Sequence, residues 1–190
     1  MKQKNILVAG AGIVGISSAI WLQRAGHKVT VVDRKGPASG TSYGNAGVLA
    51  AGAIVPVTIP SLITKAPLML FDKDSPLFLK WFYLPKLVSF LPKYMSFATN
   101  AHVDYYSQAM STLLLDSAAQ HRALALGTAA ERFIYEDDYC FGYDTKASFE
   151  ADKYSWQKRD AVGVRYEVIC GRKYADFDPI FGDAFETVVR

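Results

Sequence analysis

Gly10-Ala11-Gly12-Ile13-Val14-Gly15 is the segment whose residue types and spacing are best suited to chemistry. Three glycines so spaced let a backbone turn press against a diphosphate: Gly10 permits the tight turn, Gly12 admits the pyrophosphate, and Gly15 lets the next helix pack closely on its strand. Ala11, Ile13 and Val14 complete the turn, where a helix N-terminus offers unpaired N–H groups and about half a positive charge. Asp33 stands 18 residues after Gly15. It is placed to accept hydrogen bonds from the ribose hydroxyls of an adenine dinucleotide, and it would repel a 2′-phosphate. NADP is therefore disfavoured, although Arg34 follows.

These residues need a strand, a helix and a second strand to hold them. Asn5 to Gly10 is a short β-branched run ended by glycine, the pattern of a strand buried on both faces in a parallel sheet. Ile13 to Ala25 reads as a helix stopped by Gly26, and Lys28 to Asp33 as the second strand, which completes one βαβ unit. Gly36 to Gly52 is a Gly, Ala and Ser-rich loop. From Pro60 to Phe97 the chain is apolar and aromatic but broken by Pro67, Pro76, Pro85 and Pro92, so no membrane-spanning helix is expected. The pattern predicts one long helix over 101–126, ended by Gly127, and a hairpin from Phe133–Tyr135 and Tyr139–Tyr143. A polar helix over 146–160, a strand over 165–169 and a turn at Asp178-Pro179 follow.

Composition sets the limits. With 190 residues, 51% hydrophobic and 21% charged, the chain can bury a core, which excludes intrinsic disorder. Its mean hydropathy is +0.08. Cys140 and Cys170 have no CxxC or His-rich context, and His27, His102 and His121 form no ligand pair, so neither a disulfide framework nor a metal site is expected. Charge is uneven: residues 1–100 hold 11 Lys and Arg against 3 acids, and residues 101–190 hold 10 against 15. A basic half fits an anionic cofactor or a membrane surface; scattered cations without a basic run disfavour nucleic acid. The opening residues do not form a signal peptide, so a cytoplasmic location is expected, with peripheral contact on the inner face of the membrane as a further expectation.

The loop Gly40-Thr41-Ser42-Tyr43-Gly44-Asn45-Ala46-Gly47 separates FAD from NAD, because small residues suit backbone lying against a flat ring and hydroxyls can reach phosphate. Together with the glycine turn and the phrase Gly26 to Arg34, its Thr41-Ser42 and Asn45-Ala46-Gly47 resemble the D-amino acid oxidase superfamily of FAD enzymes, most closely the bacterial D-amino acid dehydrogenases. Weaker matches run through Leu79-Lys80-Trp81, Tyr106-Ser107 and Gly163-Val164. Asp178-Pro179 stands where the family usually has Glu-Pro, and Tyr43-Gly44 also departs from the family pattern. The resemblance implies that Gly10, Gly12, Gly15, Asp33, Arg34, Thr41 and Ser42 bind FAD, with Asn45, Ala46 and Gly47 on the flavin side. The loop has neither His nor Cys, which argues for non-covalent flavin.

The resemblance implies an α/β fold, with an FAD-binding Rossmann-like part over residues 1–58 and an α+β substrate-domain part over 59–190 that returns toward the cofactor part near its end. It also implies oxidation of the amine-bearing carbon of a D-amino acid to a 2-oxo acid and ammonia. Family members are roughly twice as long, so this chain reads as an N-terminal portion, with a complementing C-terminal half or partner chain supplying the rest. No catalytic residue is nominated. Two alternatives stand: a non-catalytic FAD-binding fragment or subunit, and an NAD-dependent Rossmann dehydrogenase, which should continue with further βαβ units.

Other clusters have a sharp and a bland reading. Residues 77–97 join seven aromatic residues to Lys80, Lys86 and Lys93. They read either as an interfacial membrane patch or as a buried or subunit-facing part of the substrate domain. Glu136-Asp137-Asp138 reads as a solvated turn, and His102 with Asp104 as a solvated helix start. Tyr105, Tyr106, Tyr135, Tyr139 and Tyr143 could line a cavity, but core or cross-strand roles are the more ordinary outcome.

Overall fold

Short β-branched runs and glycine stops divide this chain into brief elements, seen in a computed structural model that describes residues 2–64, 80–171, 173–179 and 184–190. In chain order these are β1 (Asn5–Ala9), α1 (Ile13–Arg24), β2 (Lys28–Val32), α2 (Leu84–Leu87), α3 (Phe90–Met95), α4 (Asn100–Leu114) and α5 (Ser117–Ala125). Then come β3 (Phe141–Tyr143), α6 (Lys146–Ala161), β4 (Val168–Cys170), α7 (Lys173–Phe177) and β5 (Thr187–Val189). They form two compact units, Met1–Ala50 with Asp116–Glu136, and Ala51–Leu115 with Asp137–Arg190.

In the first unit β1 and β2 pair in parallel, from Asn5↔Lys28 to Ala9↔Val32, and α1 connects them. This is the expected βαβ unit. Gly26, at φ +86°, ends α1, and the N–H of His27 returns to the Leu22 carbonyl over 3.1 Å. A left-handed residue just past a helix is the position glycine fills at no steric cost. Arg24 extends from the last turn of α1 and donates to the Ala123 carbonyl near the C-terminal end of α5 over 3.0 Å, cation against helix C-terminus. The expected burial on both faces of β1 is not found: exposure alternates along the strand, and Leu7 is 66% exposed. In this two-stranded sheet α1 packs on one face, whereas the all-parallel sheets of α/β proteins are covered on both. Among the described residues the buried apolar side chains of this unit are Ala11, Ala19 and Ala125, a thin core.

The second unit has the larger core, including Ile54, Val103, Trp156, Val188 and Val189. Its sheet has the order β3-β5-β4, antiparallel throughout, with the short Thr-Val-Val strand β5 buried at the centre. The expected hairpin is therefore corrected. Residues 131–133 form a 3-10 turn, and Phe141–Tyr143 pairs with Thr187–Val189, far along the chain. An apolar strand that can be flanked on both sides buries more surface than a local hairpin does. The acidic run is exposed, as a solvated turn should be, and within it Glu136 pairs with Arg122 and Asp138 with Arg190 at the surface.

The long helix expected over 101–126 is two helices. α4 begins at Asn100, where the Thr99 hydroxyl accepts from the N–H of His102, and ends at Leu114; α5 restarts after Asp116. The break falls where the chain passes from the second unit to the first. α4 buries Val103 and Ser107 and α5 buries Ala125, so each half faces the core of its own unit. The strand expected over 165–169 is shorter and later, Val168–Cys170.

Candidate functional site

The glycine turn lies between the end of β1 and the start of α1. Gly10, at φ +106°, donates its N–H to the Val32 carbonyl over 2.7 Å, which locks the turn to the end of β2. A Cβ on Gly15 would stand 1.9 Å from the Gly10 carbonyl oxygen, so only glycine lets the helix start so close to its strand. A Cβ on Gly12 would meet only the Ser42 Oγ, at 3.1 Å, the end of a movable side chain. Space beside Gly12 is thus held open by nothing but that hydroxyl. Gly12 has extended backbone and offers no side chain as a helix cap. At the start of α1 the Ile13 N–H is taken by the Ser42 hydroxyl, while those of Val14 and Gly15 have no carbonyl one turn earlier. Ile13 and Val14 are exposed.

Ser42 reaches into this opening. Its Oγ accepts from the N–H of Ile13 over 2.9 Å, which leaves the hydroxyl proton free to donate outward. Asp33 caps the other side of the turn: Oδ2 accepts from Ala11 N–H over 2.9 Å, and Oδ1 from Lys35 over 2.9 Å and Gly36 over 3.3 Å. These bonds, above all that from Ala11, hold its carboxyl below the usual carboxylate range. Both lone-pair positions of Oδ1 are occupied, while Oδ2 keeps one. Of the two oxygens only Oδ2 is thus left open to the ribose hydroxyl expected at Asp33, and bracing the loop is a role that sequence reasoning missed. Arg34 is exposed beside it.

The loop after β2 folds against the same turn. Ala38, at φ +56°, donates its N–H to the Ala11 carbonyl over 2.9 Å. Asn45 works inside the loop: its Nδ2 donates to the Ser42 carbonyl over 2.9 Å, and its Oδ1 accepts from the Gly47 N–H over 2.7 Å. Asn45 thus sets the position of Ser42. Thr41, Ala46 and Gly47 are exposed on the same loop. The structure brings Gly10, Gly12, Gly15, Asp33 and Ser42 together at one end of the β1–β2 sheet. A dinucleotide fits this donor set: open N–H groups, a free hydroxyl proton for phosphate, a carboxylate for ribose and no bulk over Gly12.

The second unit holds a polar cluster that sequence reasoning passed over. Tyr143 donates its hydroxyl to Asp152 over 2.7 Å and accepts from the indole N–H of Trp156 over 2.8 Å. Burial, then the bond to Asp152, pushes the phenol up to about 12. Arg159 lies over Trp156, 4.5 Å from the ring centroid, and its Nε donates to the Gly52 carbonyl. Asp152, Trp156 and Arg159 follow Tyr143 by 9, 13 and 16 residues, on the helix after its strand; no motif marks them. Of the other tyrosines, Tyr105, Tyr135 and Tyr139 are exposed. His102 packs its ring on Phe97, and Asp104 pairs with Lys158 of α6, raising the lysine's pKa.

The family model described as FAD dependent oxidoreductase matches residues 5–182. The chain belongs to this family of FAD dependent oxidoreductases. A D-amino-acid oxidase of Bradyrhizobium diazoefficiens is 35% identical over 166 residues, covering 86% of this chain and 39% of that protein. D-amino acid dehydrogenases of Rhizobium johnstonii and Sinorhizobium medicae are 34% and 32% identical, each covering 97% of this chain and 45% of the relative. The chain thus spans less than half the length of these relatives. No solved structure matches it. Membership in this family implies FAD as the dinucleotide. The glycine turn falls inside the matched residues.

Proposed function

We propose that this chain supplies the FAD cradle of an enzyme that oxidises the amine-bearing carbon of D-amino acids, and that the flavin is held non-covalently. The observation that carries the reading is the open space over Gly12, bordered by the N–H groups of α1, Ser42 and Asp33. The names of the relatives support the substrate class. When bound, FAD supplies the acceptor for the hydride leaving the α-carbon; the amine loses a proton, and water converts the resulting imino acid to 2-oxo acid and ammonia.

The chain's own part is positional. The first turn of α1 places N–H dipoles against the pyrophosphate, Ser42 donates to a phosphate oxygen while it accepts from Ile13, and Asp33 holds a ribose hydroxyl. Thr41, Ala46 and Gly47 present small groups to the flavin side, and Asn45 keeps them there. No group in the described residues is assigned to take or give the substrate's proton. A second reading, a non-catalytic FAD-binding subunit completed by a partner chain, is favoured by the 39–45% share of the relatives that the chain spans. The NAD-dependent alternative lacks support, because among the described residues no third parallel strand follows β2.

Titration with FAD, ADP and NADP tests the cradle. FAD and ADP should bind, and NADP more weakly, because its 2′-phosphate would meet the Asp33 carboxylate. Equal or tighter NADP binding would overturn the role of Asp33. Acid precipitation should leave all flavin in the supernatant, and colour retained on the polypeptide would contradict non-covalent binding.

A further inference from the structure

Of the stretch 77–97 the structure describes residues 80–97, which run through a 3-10 turn, α2 and α3. Large apolar side chains here point to solvent: Phe82 is 79% exposed, Val88 65% and Phe90 54%, with Tyr83, Leu84, Leu91 and Phe97 also exposed. Leu87, Tyr94 and Met95 are half-buried, and Ala98 is buried, which gives the segment an inner side and an outer one. Phe90 and Tyr94 stack at 5.3 Å.

Lys80, Lys86 and Lys93 recur at intervals of six and seven residues through this surface, and no Asp or Glu occurs from Ser75 to Val103. Elsewhere Lys153 and Lys158 pair with carboxylates, whereas among the described residues none of these three lysines does. Lys86 lies over the Tyr83 ring at 5.1 Å, stem on apolar surface and charge outward. Cations that the described carboxylates leave unmatched call for an anionic partner, and exposed aromatic rings among them call for an apolar one. A lipid surface offers both. No helix among the described residues is long and apolar enough to cross a membrane, so the contact would lie in the interface plane.

We infer that residues 80–97 form a docking surface for an anionic lipid bilayer, with Phe82, Val88 and Phe90 entering the headgroup region and Lys80, Lys86 and Lys93 meeting lipid phosphates. The inference is independent of flavin binding. Sedimentation with phosphatidylcholine vesicles, with and without a quarter of phosphatidylglycerol, tests it. The chain should bind the anionic vesicles, bind neutral ones far more weakly, and release at high salt. Changing the three lysines to Gln should weaken binding about fivefold each, on the order of 100-fold together. Phe82→Ser with Phe90→Ser should also release the protein, whereas Phe133→Ser with Tyr135→Ser, equally exposed but in the first unit, should not. Equal loss in that control would show general stickiness and overturn the inference. So would indifference to phosphatidylglycerol, unchanged amide exchange over 82–97 on adding vesicles, or failure of a chain extended to the relatives' full length to bind, which would show that protein covers this surface.

Discussion

At the scale of single residues, Gly12 and Gly15 differ in what a methyl group would meet. On Gly15 it would meet a backbone carbonyl that cannot move without opening the βαβ unit; on Gly12 it would meet a serine hydroxyl that can rotate away. Gly15→Ala should therefore cost about 3 kcal/mol or more and remove amide protection from β1 and β2. Gly12→Ala should keep that protection and weaken FAD binding about 10–100-fold, the size expected from losing one hydrogen bond to a charged phosphate. Hydrogen exchange and FAD titration on the same two variants separate packing from binding. Ser42→Ala should remove the acceptor of the Ile13 N–H, at about 1 kcal/mol, and weaken FAD further. Asp33→Asn should loosen the Lys35–Gly36 turn as well as weaken FAD. Because its folded pKa lies below the ordinary value, what Asp33 contributes to stability is present above that value and lost as pH falls through the folded one.

At the scale of elements, β3 and α6 are joined by a hydroxyl. Tyr143 on β3 bonds both Asp152 and Trp156 on α6, so Tyr143→Phe leaves a carboxylate and an indole N–H each short of a partner. The expected loss is about 1–3 kcal/mol, measured by urea unfolding. The phenol's folded pKa is raised from 10 to about 12. Its contribution is therefore complete below pH 10 and disappears as pH rises through 12. The wild-type minus Tyr143→Phe difference should shrink over that range, and a difference constant with pH would remove Asp152 and burial as the cause. The break between α4 and α5 belongs to this scale too. Apolar periodicity runs through it, but the two helices serve different cores, a distinction that periodicity does not encode.

At the scale of the whole molecule, the chain carries the proposed cofactor cradle without an assigned proton acceptor, and it spans 39–45% of its relatives. Hydride transfer needs the α-carbon held within about 3–3.5 Å of the acceptor atom, and about 1 Å of misplacement can cost on the order of 100-fold in rate. Residues 1–190 alone should therefore bind FAD and show no dye-linked oxidation of a panel of D-amino acids, and a segment matching the rest of the relatives' length, in cis or in trans, should restore it. Turnover by the isolated chain would overturn the need for that segment. Failure of the completed protein on every D-amino acid would overturn the substrate class.

What the sequence alone determined was local. The β1–α1–β2 unit, the glycine turn and its stop at Gly26 were legible because their cause lies in adjacent residues: β-branched runs, and conformations that only glycine adopts without strain. The tertiary structure decided what depends on distant partners. Ser42 meets Ile13 across 29 residues, and Asp33 meets Ala11 across 22. Tyr143 finds Asp152, and Phe141–Tyr143 bypasses its neighbouring tyrosines to pair with a strand more than 40 residues on. A strand's partner is the one that buries the most apolar surface and satisfies its hydrogen bonds, and for β3 that was Thr187-Val188-Val189, which no local pattern could name.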